Sequence, residues 1–178
     1  MVAVSSGFTM PLRRQLAAAI AADVQRRGVS VSKIAAETGA SKNSIHLAVG
    51  GRFLDRLGVD PLIEICDKLG ITVTLEMISA PTIIRPKPYK RGDLHRPRHA
   101  PDLTMLGQLK EQLAAAIGSA IEEYPGGATA IIAATGISGP IISLLKNRHP
   151  RYRLDKLIEF ANTFGITVQI DTSEAVAC

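Results

Sequence analysis

Ser41-Lys42-Asn43-Ser44 is followed by His46 and Leu47, so two hydroxyls, an ammonium, a carboxamide and an imidazole crowd one short segment. Such groups donate and accept hydrogen bonds to polar and anionic partners. Ser32 and Lys33 precede the segment; Arg52 and Arg56 follow it, adding cations suited to phosphate. Chemistry beyond binding has no signature here. The chain carries no Gly-rich phosphate loop, no nucleophile elbow, no metal-ligand cluster and no motif that sets carboxylates together. We therefore expect no enzyme and no cofactor. His95 and His99 stand four apart, but Pro97 between them precludes a helical metal pair.

The surrounding pattern predicts how the polar segment is held. Leu12, Leu16, Ile20 and Val24 form an i, i+4 stripe on a helix from about Pro11 to Arg27, which Gly28 ends. Two short helices follow, about Ser32–Thr38 and Lys42–Val49, divided by Gly39-Ala40-Ser41. Helices joined so tightly need a small residue in the middle of the first, here Ala35. The turn needs a residue that tolerates positive φ, here Gly39. Ile34, Ala40, Ile45 and Ala48 point back into a core, leaving the polar residues outward. A fourth helix is expected with Asp60 as its cap and Pro61 at its first position, stopped by Gly70. Ile71, Val73, Leu75 and Met77 then alternate with Thr72, Thr74 and Glu76, the period of a strand with one buried face.

The whole frame occurs twice. Gln15-Leu16-Ala17-Ala18-Ala19-Ile20 returns as Gln112-Leu113-Ala114-Ala115-Ala116-Ile117, and Thr38-Gly39 as Thr135-Gly136. Leu62-Ile63-Glu64 returns as Leu157-Ile158-Glu159, and Gly70-Ile71-Thr72-Val73 as Gly165-Ile166-Thr167-Val168. The second copy repeats the stripe as Leu109, Leu113, Ile117 and Ile121, closed by Pro125-Gly126-Gly127. Short helices at about Thr129–Thr135 and Gly139–Lys146 and a helix capped by Asp155 follow, and its strand alternates Ile166, Val168 and Ile170 with Thr167, Gln169 and Asp171. A repeat this long is a duplicated domain, not a solenoid unit. Three segments result: 9–79, a basic Pro-rich linker at 80–103, and 104–172. A lone strand is unstable. Strands 71–78 and 166–171 are therefore expected to pair in a small antiparallel sheet, within one chain as a pseudo-dimer or between two chains as a homodimer.

The segment Ile34-Ala35-Ala36-Glu37-Thr38-Gly39-Ala40-Ser41, with one helix before it and a capped helix after it, resembles the helix-turn-helix of the Cro/CI (XRE, lambda-repressor-like) regulators. The likeness covers about residues 11–70, and a strand directly after the last helix is similar to small repressors and antitoxins that dimerise by strand pairing. The resemblance implies a mainly α fold of two tandem helix-turn-helix modules and sequence-specific binding of double-stranded DNA, with repression as the default. It places the helix starting near Ser41 in the major groove. There Lys42 can bond guanine, Asn43 can take adenine bidentately, and Leu47 can touch a thymine methyl, with Ser44 and His46 beside them. Ser41 caps the helix and can meet a phosphate, as can Ser32, Lys33, Arg52 and Arg56. The bland alternative is a solvated polar helix face, and His46 equally suits a solvent-facing neutral histidine.

Copy two departs from this pattern. Its outward positions are Ser138, Gly139, Pro140, Ser143, Leu144 and Asn147, with Ile132 in place of Ala35 and Ile137 in place of Ala40. A bulkier residue at that packing position is expected to alter the angle between the helices. Basic residues gather only downstream, at Lys146, Arg148, His149, Arg151 and Arg153. Two readings stand: copy two holds phosphates through that loop, or it is kept for assembly or for a protein partner. We take copy one as the main reader. The alternative for the whole chain is a protein-interaction module, such as an antitoxin or anti-activator, with secondary DNA binding.

Charge follows the same asymmetry. The net charge is +5, and residues 80–103 carry six Lys/Arg against two Asp/Glu while residues 104–178 carry six against seven. Nucleic acid is the natural partner for such a balance. Arg85, Lys87, Lys90, Arg91, Arg96 and Arg98 suit either a basic arm tracking phosphates or a charged spacer among five prolines. Cys66 and Cys178 fit no metal or redox spacing, and Cys66 reads as a small core residue. With no signal segment and no membrane-length run, a cytoplasmic, nucleoid-associated protein is expected.

Overall fold

The computed structural model describes residues 9–51, 53–79 and 104–174. Within these, the chain is mainly α-helical with one small two-stranded antiparallel sheet. The order is α1 (Met10–Arg27), α2 (Val31–Thr38), α3 (Lys42–Gly50), a 3-10 turn (Leu54–Arg56), α4 (Val59–Leu69) and β1 (Ile71–Ser79). The second copy gives α5 (Met105–Glu123), α6 (Gly127–Thr135), α7 (Gly139–Lys146), α8 (Leu154–Thr163) and β2 (Ile166–Glu174). Every helix and strand anticipated in the two copies is present; only the 3-10 turn has no forerunner in the periodicity. Residues 80–103, including the basic linker positions, lie outside the described residues, as do Arg52 and Cys178. Among the described residues no helix is long and apolar enough to cross a membrane.

The chain forms two compact units, one of Met1–Glu76 with Gln169–Cys178, the other of Met77–Val168. This division runs through both strands, and β1 and β2 pair with each other. Ile71, Val73 and Leu75 are buried in β1, and Ile166, Val168 and Ile170 in β2, with the intervening polar residues exposed. Within the first unit, the Gln15 amide of α1 donates to the Ile170 carbonyl and ties α1 to the middle of β2.

Both apolar stripes are core. Leu12, Leu16, Ile20 and Val24 are buried, as are Leu109, Leu113, Ile117 and Ile121; full burial of each Leu or Ile contributes about 1.5–3 kcal/mol. Gly28 and Gly70 end α1 and α4 at positive φ (62° and 75°), as expected. The caps of the fourth helices are corrected. α4 starts at Val59 behind Gly58, and α8 at Leu154 behind Arg153, so Asp60 and Asp155 lie in the first turn and are not the caps. Each begins earlier because Val59 and Leu154 are fully buried and fold into the helix. The acids still face the helix dipole favourably.

Cys66 is buried in α4. Burial, with Asp23 and Asp67 nearby, pushes its thiol up to about 12. Asp23 itself is buried but paired. It binds Arg26 and, at 2.6 Å, Arg27, whose guanidinium also donates to the Leu69 carbonyl at 2.7 Å and ties the end of α1 to that of α4.

Candidate nucleic-acid interface

The turn between α2 and α3 is locked from three sides. Gly39 takes φ 66°, and its amide donates to the Ala35 carbonyl at 2.9 Å. The Thr38 hydroxyl donates to the Ile34 carbonyl at 2.8 Å and accepts from the Ala40 amide at 3.3 Å. From α4, Lys68 Nζ donates to the Gly39 carbonyl at 2.9 Å, a clamp the repeat pattern does not reveal because its counterpart is Thr163. Thr135, Gly136 and Ile137 reproduce the local bonds in the second unit, where Thr135 Oγ1 donates to Ile131 at 2.8 Å and accepts from Ile137 at 3.2 Å. The shared Thr-Gly pair is therefore the turn device that both copies keep.

With the turn fixed, α3 has one inward and one outward side. Ile34, Ala40, Ile45 and Ala48 are buried. Ser41 caps α3, its Oγ accepting from the Ser44 amide at 3.4 Å. Ser41, Lys42, Asn43 and His46 are exposed, while Ser44 and Leu47 are half-buried at the edge of the same side. The structure thus gathers the expected reader residues on one solvent-facing surface.

The phosphate candidates divide. Ser30, not Ser32, caps α2, accepting from the Lys33 amide at 3.3 Å, so Ser32 and Lys33 are exposed first-turn residues. Lys33 lies 3.9 Å from Glu37 on the same helix, an exposed pair worth well under about 1 kcal/mol that leaves the ammonium available. Arg52 falls outside the described residues. Arg56 is exposed and stacks 4.7 Å from the centre of the Phe53 ring. Phe53 is itself 55% exposed, with a positive φ of 59°, so an aromatic carries the arginine at the surface. Arg13 Nη1 donates to the Leu54 and Asp55 carbonyls, both at 3.3 Å, and pins this turn to α1. Sequence periodicity misses Phe53 because a single exposed aromatic in a loop has no pattern.

The second unit presents different chemistry on equivalent positions. Ser138 and Ser143 are exposed, and Asn147 is exposed at the end of α7. Gly139 and Leu144 are half-buried, and Pro140 is exposed. Arg148 is half-buried and 3.8 Å from Glu122, with its Cγ lying over Gly118. In the first unit Gly51 stands at its place, leaving a groove of about 270 Å³ lined by Ala18, Ala21, Val49 and Arg14 among others. Ile132 is the bulkier residue at the place of Ala35. It is 40% exposed, because Ile131 takes the buried position and Ile132 lies over the start of α7.

Comparison with protein-family models, with curated proteins and with solved structures finds no match to this chain.

Proposed function

We propose that this chain is a sequence-specific double-stranded DNA-binding regulator of transcription, acting as a repressor, with α3 as its major-groove reader. One observation carries the reading: Lys42, Asn43 and His46 are exposed on the side of α3 opposite the buried Ile45 and Ala48, behind a turn locked by Thr38, Gly39 and Lys68. A helix so presented offers its first turns to base edges, and its residue types match guanine and adenine. Lys33 and Arg56 flank it as phosphate contacts, which orient without reading sequence. Selection of bound fragments from random duplex DNA tests this. The reading expects enrichment of one short motif, and recovery of unrelated fragments at equal frequency contradicts it.

The rival reading, a protein-interaction module, is favoured by the outward side of α6 and α7, which carries isoleucine, alanine and proline where the first unit has lysine and asparagine. The two readings are compatible within one chain. The first unit addresses DNA, and the second supplies a protein contact.

A further inference from the structure

The groove of about 270 Å³ in the first unit is bounded by α1 and the end of α3. Ala18, Ala21, Val49 and Leu54 line it, and Val49 is 37% exposed. Among the described residues that line it, Arg14 is the only charged one; it is exposed and has no acidic partner among them.

The duplication shows what this place in the frame holds. In the second unit the alkyl stem of Arg148 lies across α5, its Cγ 2.8 Å from where a β-carbon on Gly118 would stand. Its guanidinium lies 3.8 Å from Glu122. Gly118 corresponds to Ala21 and Arg148 to Gly51, and Arg148 and Gly51 share a positive φ, 55° and 61°. The first unit therefore keeps the apolar seat and lacks the side chain that fills it. Charge at the seat is reversed. The second unit has Glu111 and Glu122 on α5, where the first has Arg14 and the neutral Gln25 on α1. The carbonyl end of α3 also borders the groove, with about half a negative charge. Its Ala48 carbonyl already accepts from the Gly51 amide at 3.1 Å, and the full positive charge of Arg14 outweighs it.

We propose that this groove binds a small unbranched aliphatic carboxylate, its chain along Ala18, Ala21 and Val49 and its head on the Arg14 guanidinium. The chain takes the seat that the Arg148 stem fills in the second unit, and each methylene withdrawn from water adds to affinity. Arginine meets a carboxylate with two parallel N–H donors. Drug-sized ligands occupy pockets of about 300 Å³ and more, so this volume suits a short chain. Ala48 and Val49 lie near the end of α3, so the site adjoins the helix that carries Lys42 and Asn43. The inference does not rest on that helix reading DNA.

Titration of sodium octanoate into the full chain, followed by NMR of isotope-labelled alanine and valine methyl groups, tests the proposal. The methyls of Ala18, Ala21 and Val49 should shift together and saturate with a Kd of about 100 µM. Octylammonium, the same chain with the opposite head, should bind at least about tenfold more weakly. Arg14→Gln, at an exposed position, should weaken octanoate about tenfold while keeping wild-type helical circular dichroism. Ala21→Gly combined with Gly51→Arg rebuilds the second unit's arrangement, and the introduced stem should abolish octanoate binding. No saturable shift of these methyls at about 10 mM octanoate, equal affinity for octylammonium, or unchanged affinity in either folded variant overturns the proposal. DNA enters none of these readouts, so the outcome stands apart from that of the reading helix.

Discussion

Ile132 lies across the start of α7, its Cδ1 3.5 Å from where a β-carbon would stand on Gly139. The equivalent pair in the first unit is Ala35 and Lys42. The duplicated frame has therefore exchanged a small residue and a cation for a large apolar residue and a glycine. That exchange moves the helix start from a polar, hydrogen-bonding surface to an apolar one without altering the Thr-Gly turn beneath it.

The exchange sets the first prediction. Lys42→Ala or Asn43→Ala should relax base preference at one or two positions of the bound sequence, costing about 1–3 kcal/mol. Pro140→Ala in the second unit should change preference little. Competition binding against duplexes altered one base pair at a time measures both, and a larger loss from Pro140→Ala would reverse the assignment of reader and partner.

Phosphate contacts should act differently. Arg56→Ala is expected to weaken binding about equally for preferred and scrambled duplexes and to lower the slope of log affinity against log salt by about 1. A loss confined to one base position would instead make Arg56 a reader.

The second unit depends on Gly118. A β-carbon there would stand 2.8 Å from Arg148 Cγ and 3.2 and 3.3 Å from the Leu145 and Lys146 carbonyl oxygens. The side chain can move; the backbone of α7 cannot do so cheaply. Gly118→Ala should destabilise the fold by about 1–3 kcal/mol in urea unfolding, and adding Arg148→Ala should recover only part of the loss. Unchanged stability would show that α5 and α7 are less closely packed than described.

Cys66 gives a pH signature. Its thiol, raised from 9.0 to about 12 in the fold, stays protonated where an unfolded chain would ionise. The unfolded state then holds fewer protons, so this contribution is complete below pH 9 and is lost as pH rises from 9 toward 12. Urea unfolding of wild type should show a steeper decline of stability across that window than Cys66→Ala, and parallel curves would contradict it.

Much of this fold was legible because apolar spacing and turn chemistry agree. Leu12 through Val24 and Leu109 through Ile121 repeat at helical spacing, and the alternation from Ile71 to Leu75 can only bury one face. Helix starts at Val59 and Leu154 were less legible, since Asp60 and Asp155 look like caps and only burial of the preceding residue draws the helix back. On the candidate interface, exposure of Lys42, Asn43 and His46 followed from the inward Ile45 and Ala48. Phe53 and Lys68 did not, because an aromatic at positive φ and a cation reaching a turn carbonyl from another helix arise from tertiary placement. Nor did the position of Ile132, where neighbouring Ile131 and Ile132 compete for one buried site.

The central claim, that Ser41 to Leu47 reads base edges, is tested most directly by titrating the folded chain against its selected duplex and a base-shuffled duplex at several salt concentrations. The account predicts a preference of about a thousandfold or more for the selected duplex at moderate salt, largely lost in Lys42→Ala with Asn43→Ala, and a steep fall in both affinities as salt rises. Equal affinity for both duplexes, or no binding to either at low ionic strength, would contradict it.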